Sequence, residues 1–159
     1  MNKRLAIILT AMFCIFGIVE TGSAQTAAEK AVNAYIRKEY KSAESGTEYK
    51  KARKIVLGDV DGDGDKDAVV QYTIEGMGGG TGFGQTLAVF LNTKGGFKFQ
   101  SDQTVGGKFA ERTSILISVK TGKILVSTES CEEPPQGMCK NPKKGKATFK
   151  LVKGILTEL

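Results

Sequence analysis

The chain has 159 residues, a formal net charge of +6 and no histidine. The absence of histidine excludes Ser-His-Asp and Cys-His nucleophilic systems, and it also excludes catalytic metals held by imidazole. An enzyme built from this sequence would have to use carboxylates, lysine or tyrosine.

The first 24 residues have the three parts of a secretory signal. The positive start "MNKR" precedes an apolar run at residues 5–19, and Gly22 and Ala24 stand where a signal peptidase reads small residues. The apolar run has 15 residues, whereas a membrane span needs about 20, so we expect cleavage and no stable membrane anchor afterwards. We therefore predict a signal peptide at residues 1–24 and one domain at residues 25–159, exported to the periplasm or the extracellular space.

A single helix is predicted over residues 26–46. Thr26 can cap its start, Glu29 completes a capping box, and Gly46 is a reasonable stop. Apolar residues follow helical spacing along one face, so this face is expected to pack on a sheet. They are Ala28, Ala31, Val32, Tyr35, Ile36 and Tyr40.

Seven short strands follow, each rich in β-branched or aromatic residues and separated by glycine-containing turns. Their residues are 54–60, 67–76, 85–92, 96–101, 113–120, 123–130 and 146–153. Alternation predicts that Ile115, Ile117 and Val119 share one face. Short connections favour antiparallel neighbours, so we predict an α+β fold in which the N-terminal helix packs on one antiparallel β-meander sheet.

Five aspartates lie in "GDVDGDGDKD" (residues 58–67), between the first two predicted strands. Counted from Asp59, they occupy positions 1, 3, 5, 7 and 9 of an EF-hand calcium loop, with Gly64 at position 6, where the sharp turn needs glycine. Position 12 is Val70 and not the usual glutamate, and the flanks are strands. The predicted ligands are Asp59, Asp61, Asp63, Asp65 through its backbone carbonyl, and Asp67.

This stretch resembles the calcium loop of FG-GAP/VCBS-type repeats, which are found in β-propeller blades. The similarity rests on "DVDGDGDKDAVV" and, more weakly, on "QTLAVFLNTKGGFKFQ", and it covers about residues 55–100. The motif occurs once, whereas a propeller needs several blades. The resemblance therefore implies a strand pair clamped by Ca²⁺, with the five aspartates at the ligand positions, and no propeller.

The alternative for the aspartate loop is a solvated acidic turn. Five carboxylates at this spacing repel one another, and a bound cation would order them. Calcium suits such a loop better than magnesium, which prefers a tight octahedron and keeps its waters. We therefore predict a structural Ca²⁺.

Two further segments, residues 75–85 and 140–146, are candidate binding sites for phosphate or other anions. The glycine-rich residues 75–85 lack both nucleotide-binding glycine spacings and precede a strand, so we interpret them as a flexible connection, with Phe83 as a weak candidate for a binding tip. The lysines in "KNPKKGK" (residues 140–146) could meet phosphates or an anionic cell surface, or form a solvated loop. No aromatic residues interleave with them, so we predict no nucleic-acid partner.

Cys131 and Cys139 remain after the signal, which removes Cys14. In an exported chain they predict a disulfide that closes "CEEPPQGMC", with two free thiols as the alternative. The loop would be pre-organised, and Glu132 and Glu133 would suit a basic partner. A surface loop without a partner is the simpler interpretation.

Three functions follow from these features. The preferred one is an exported, non-catalytic protein with a structural calcium ion. The alternative is a periplasmic or secreted interaction protein, such as an inhibitor of a lysozyme-type hydrolase, that uses residues 131–139. A carboxylate-based glycosidase is the third, although acidic residues outside the calcium loop are few.

Overall fold

The computed structural model describes residues 20–108, 110, 112–131 and 141–159. Helix α1 (Glu20–Glu39) precedes the strands, and all strand pairs described are antiparallel. The strands are β1 (Thr47–Glu48), β2 (Lys54–Gly58), β3 (Asp67–Glu75), β4 (Phe83–Thr93), β5 (Gly96–Gly107), β6 (Arg112–Lys120), β7 (Lys123–Ser130), β8 (Lys143–Val152) and β9 (Ile155–Glu158). The predicted α+β class, with one helix and antiparallel pairing, is confirmed.

The strands form two sheets and not the single sheet that was predicted. In the first, β3, β4 and β5 are consecutive neighbours, and β1 and β2 both pair with β3; the second has the order β6-β7-β8-β9. The two sheets face each other across an apolar core, because each contributes the inward side of its alternating strands. The buried members of this core are Val60, Val69, Leu87, Val89, Val105, Leu116, Ile124, Val126, Ala147, Phe149 and Leu156.

Helix α1 covers the other face of the first sheet, as predicted. Ala28, Val32 and Ile36 are buried against β3 and β4, and together they form a second apolar cluster. Strand β3 is therefore buried on both faces, from Asp67 to Ile74. In the described residues, no helix combines the length and the apolar character that crossing a bilayer requires.

The predicted ends of the helix were wrong. Thr26 lies inside α1, where its hydroxyl donates to the carbonyl of Gly22 (2.9 Å), so it does not cap the start. The helix ends at Glu39, and Gly46 adopts a positive φ of 87° in the following turn. Residues 1–19 lie outside the described residues, so signal cleavage stays a prediction.

A bulge in β6 interrupts the predicted alternation, so Val119 lies on the opposite face from Ile115 and Ile117. Leu116 is fully buried, whereas Ile115 and Ile117 are 59% and 40% exposed. The pairing with β7 shifts between Leu116 and Ser118, and Val119 then packs against the core. One extra residue in a strand moves every later side chain to the opposite face, so period-two counting through it assigns the wrong face.

Glutamine side chains of the first sheet bind the backbone along β6. Gln71 donates to the carbonyl of Ser114 (2.5 Å) and accepts from the N–H of Leu116 (2.5 Å). Gln85 accepts from the N–H of Ser114 (2.8 Å) and donates to its carbonyl (3.1 Å). These amides occupy the place of a neighbouring strand, because a side-chain amide offers the same donor and acceptor as a peptide group.

Side chains of β5 likewise bind backbone groups of β9 and of the turn before it. Gln100 donates to the carbonyl of Gly154 (2.9 Å), and the hydroxyl of Ser101 accepts from the N–H of Leu156 (3.0 Å). Arg112, at the start of β6, donates to the Glu158 carboxylate (2.7 Å) and to the carbonyl of Val105 (3.1 Å). The second sheet is therefore held to the first by polar contacts at both of its edges.

The Arg112–Glu158 pair predicts a pH-dependent contribution to stability. Hydrogen bonding from Arg112 lowers the pKa of Glu158, so this stabilisation is complete above the unfolded pKa, about 4.3, and is lost as pH falls through the lower folded pKa. Because both side chains are partly exposed, Glu158→Gln should reduce the free energy of unfolding by only about 0.5–1 kcal/mol at pH 7. In urea unfolding, the difference from wild type should shrink as the pH is lowered to 3.

Glu129→Gln is the matched control. Its carboxylate lies 3.9 Å from Lys144 Nζ, and both side chains are at least half exposed. A pH-independent loss in Glu158→Gln, equal at pH 7 and pH 3, would show that the charge pair is not the cause.

Candidate metal site

The aspartate loop connects β2 to β3. Asp59 directly follows β2, and Asp67 is the first residue of β3. Gly62 and Gly64 have φ angles of +89° and +93°. An L side chain is strained at such angles, so the two glycines allow the tight path that the spacing predicted.

Backbone N–H groups of the loop point at its own carboxylates. Asp59 accepts from Gly62 (2.7 Å) and Gly64 (3.2 Å), one bond to each oxygen. Asp61 accepts from Asp63 (3.1 Å) in the same way. These bonds hold each carboxylate in a defined orientation, because short Asx-type bonds fix a side chain against its own turn.

Asp67 is fully buried, and each of its oxygens accepts a backbone hydrogen bond. Oδ2 accepts from the N–H of Val60 (2.9 Å), and Oδ1 accepts from the N–H of Asn92 (2.8 Å). Burial raises the pKa of this carboxyl, the two N–H bonds oppose that shift, and the nearby charges of Asp61 and Asp63 raise the pKa further. A cation next to Asp67 would therefore favour its ionised form.

Three of the five predicted ligands are brought together. One carboxylate oxygen each from Asp59, Asp61 and Asp67 lies within 4.8 Å of the other two. Two oxygens bound to one Ca²⁺ at about 2.3–2.6 Å are at most about 5 Å apart, so these oxygens fit a single ion. The carboxylates of Asp63 and Asp65 are outside this group.

Both remaining aspartates are exposed. The predicted role of Asp65 uses its backbone carbonyl and not its exposed side chain, and that role stays a prediction. The Asp63 carboxylate accepts from the N–H of Asp65 (2.8 Å). A rotation of this exposed side chain would be needed to bring it to the predicted ligand position.

The loop also contacts the second sheet. The N–H of Gly122, in the β6–β7 turn, donates to the carbonyl of Asp59 (3.2 Å). Val60 is buried in the core between the sheets. Together with the Asp67–Asn92 bond, these contacts join the β2–β3 loop to the end of β4 and to the β6–β7 turn.

Sequence reasoning missed these partners of the loop. Asn92 is the last residue of a predicted strand, but its N–H bond to Asp67 spans 25 positions of sequence. Gly122 carried only a turn signal, and nothing local connects it with Asp59. The burial pattern of β3, which is apolar from Ala68 to Val70, was the available sign that Asp67 would be buried.

Other predicted features occupy different places. Phe83 is half-buried as the first residue of β4, paired with Glu75, so it is not an exposed tip. Lys143–Lys146 are exposed and form the start of β8, not a loop. Cys131 follows β7, but Cys139, Glu132 and Glu133 lie outside the described residues, so the disulfide and the partner loop stay predictions.

Two grooves lie beside α1. The larger has a volume of about 530 Å³, between the helix and the segment that holds β1, and the smaller has about 270 Å³. In the larger groove, Arg53 forms a partly buried ion pair with Glu48 and donates to the Asn33 side chain (2.7 Å). The polar groups of Arg53 and Glu48 are thus hydrogen-bonded to each other.

Comparison with known proteins gives no family for this chain. No protein-family model matches it, and no match was found among curated proteins or among solved structures.

Proposed function

We propose that this chain is an exported, non-catalytic calcium-binding protein, in which one Ca²⁺ is held by the aspartate loop. The observation that carries the proposal is the convergence of Asp59, Asp61 and Asp67 oxygens within 4.8 Å. The Asp63 side chain and the Asp65 carbonyl would add two further oxygen ligands. The resemblance to FG-GAP/VCBS loops supports the same assignment of ligands.

Electrostatics supports an ion in this place. Three carboxylates that approach within a few ångströms repel one another, and the buried Asp67 cannot rely on water to screen that repulsion. A divalent cation replaces the repulsion with attraction. Oxygen-only donors and a flexible loop suit Ca²⁺, which tolerates variable geometry.

The ion would have a structural role. The loop contacts the end of β4 through Asp67 and the β6–β7 turn through Asp59. Ordering the loop would therefore order the end of the molecule where both sheets meet. A ligand that binds only the folded state at ten times its Kd adds about 1.4 kcal/mol to stability.

Calcium should raise the melting temperature, and a matched pair of loop variants tests the site. At ten times Kd, we expect Ca²⁺ to raise Tm by about 3–6 °C relative to EDTA. Asp61→Asn should weaken calcium binding by at least about tenfold, because it removes a converging carboxylate. Asp65→Asn should bind nearly as well as wild type, because its side chain is exposed and its carbonyl is kept.

Isothermal titration and melting curves measure these effects. The two variants change the loop charge equally, so a general electrostatic effect would weaken both to the same extent. Equal weakening in Asp61→Asn and Asp65→Asn, or a wild-type Tm that is identical in calcium and EDTA, would refute the proposed site.

Export is tested separately. If the signal is cleaved after residue 24, the protein recovered from the envelope or medium should begin at Gln25, which terminal sequencing by mass spectrometry can verify.

A further inference from the structure

The outer face of the second sheet carries a concentration of positive charge. Ile124, Ala147 and Phe149 point into the core, so their neighbours in β7 and β8 point outward. We call the outward lysines of these strands the lysine face. They are Lys123, Lys144, Lys146 and Lys150.

The positive charge of this face is largely uncompensated. Glu129 projects from the same side, and its carboxylate lies 3.9 Å from Lys144 Nζ. In the part of the chain that the structure describes, Lys123, Lys146 and Lys150 form no ion pair. The face therefore presents about three unit charges to an anionic partner.

Exposed isoleucines adjoin the lysines. Ile115 and Ile117 are 59% and 40% exposed: Ile115 alternates with the buried Leu116, and Ile117 lies at the bulge in β6. Register places Ile115 opposite Ser127, and Ser127 opposite Lys146. Apolar and cationic groups are thus two strand spacings apart, about 10 Å, on one continuous surface.

We propose that the lysine face and the two isoleucines dock this protein on the surface of an anionic lipid bilayer. Lysine ammonium groups would meet lipid phosphates while their stems lie along the interface, and the isoleucines would enter the acyl boundary. Strands β6 to β9 are paired with one another and form a continuous pleated surface. Such a surface is better suited to contact a bilayer than to bind an extended peptide. The grooves described above lie on the opposite side, beside α1.

Co-sedimentation with vesicles tests the proposal. Wild-type protein should bind phosphatidylglycerol-containing vesicles at least about 100-fold more strongly than phosphatidylcholine vesicles, because each lysine near an anionic surface contributes about fivefold. The triple variant Lys123→Gln/Lys146→Gln/Lys150→Gln should lose about 100-fold of that binding. Ile115→Ser/Ile117→Ser should weaken binding severalfold without changing its dependence on salt.

The matched control removes three exposed lysines from the other side of the molecule. Lys30→Gln/Lys50→Gln/Lys51→Gln has the same net charge as the first triple variant and should lose vesicle binding only a few-fold, because Lys30 is on α1 and Lys50 lines the grooves beside it. Single variants at Lys123, Lys146 and Lys150, each expected to lose about fivefold, decide the matter if the triple variant does not fold. Equal losses in the two triple variants, or equal binding to both vesicle types, would overturn the proposal.

A soluble polyanion provides the last comparison. If heparin binds the lysine face but anionic vesicles do not, the partner is a soluble polyanion and the bilayer proposal is wrong.

Discussion

Asp67→Ala should lower the free energy of unfolding by about 3 kcal/mol or more, even in EDTA. The variant leaves the buried N–H of Val60 and the partly buried N–H of Asn92 without their acceptor, and each such loss costs about 1–3 kcal/mol when the group is shielded from water. The cost does not depend on a bound ion, because both bonds are made by the protein alone. Urea unfolding with and without calcium separates this role of Asp67 from its role as a ligand.

Asp65→Ala is the control for that experiment. It lies in the same loop and removes the same charge, but its side chain is exposed, so it should change stability by less than about 0.5 kcal/mol. If Asp67→Ala matched wild type in EDTA and differed only in calcium, the two backbone bonds would have no structural value.

Gln71→Ala should lower the free energy of unfolding by about 3 kcal/mol. Gln71 is 4% exposed and holds both the Ser114 carbonyl and the Leu116 N–H of β6. Its loss leaves the Leu116 N–H buried without that acceptor, and truncation adds a cavity. Chemical denaturation should show an earlier midpoint with a similar slope.

Gln71→Met separates hydrogen bonding from packing. Methionine has a similar length and no amide. Gln71→Met should therefore show most of the loss in free energy of unfolding that Gln71→Ala shows, because both variants lack the two hydrogen bonds. Gln100→Ala removes a single exposed bond to Gly154 and should cost less than about 1 kcal/mol. Wild-type stability in Gln71→Met would mean that packing alone accounts for the effect.

Local patterns predicted the elements that depend on nearby residues. The helix face of Ala28, Val32 and Ile36 follows from spacing of three and four residues, and the seven predicted strands are all present. The convergence of Asp59 and Asp61 is local too, because the loop glycines fix its path within a few residues. Strands β1 and β9, of two and four residues, were too short for a periodic signal.

Long-range relations were beyond the sequence patterns. A turn specifies that the chain reverses, but not whether the next strand joins the same sheet, so the division after β5 was missed. The bulge at Ile117 depends on how β6 meets β7, and the hydrogen bonds of Asp67 depend on where Asn92 lies. Each of these relations is set by packing between segments and not by composition within one segment.

The amide contacts along β6 and β9 also bear on self-association. An edge strand with open N–H and C=O groups is a template on which another chain can add a strand and begin aggregation. At Ser114, Leu116, Gly154 and Leu156, backbone groups already hold side chains of the first sheet. Strand addition at these points would have to displace Gln71, Gln100 or Ser101 first, so these side chains should hinder edge-to-edge polymerisation.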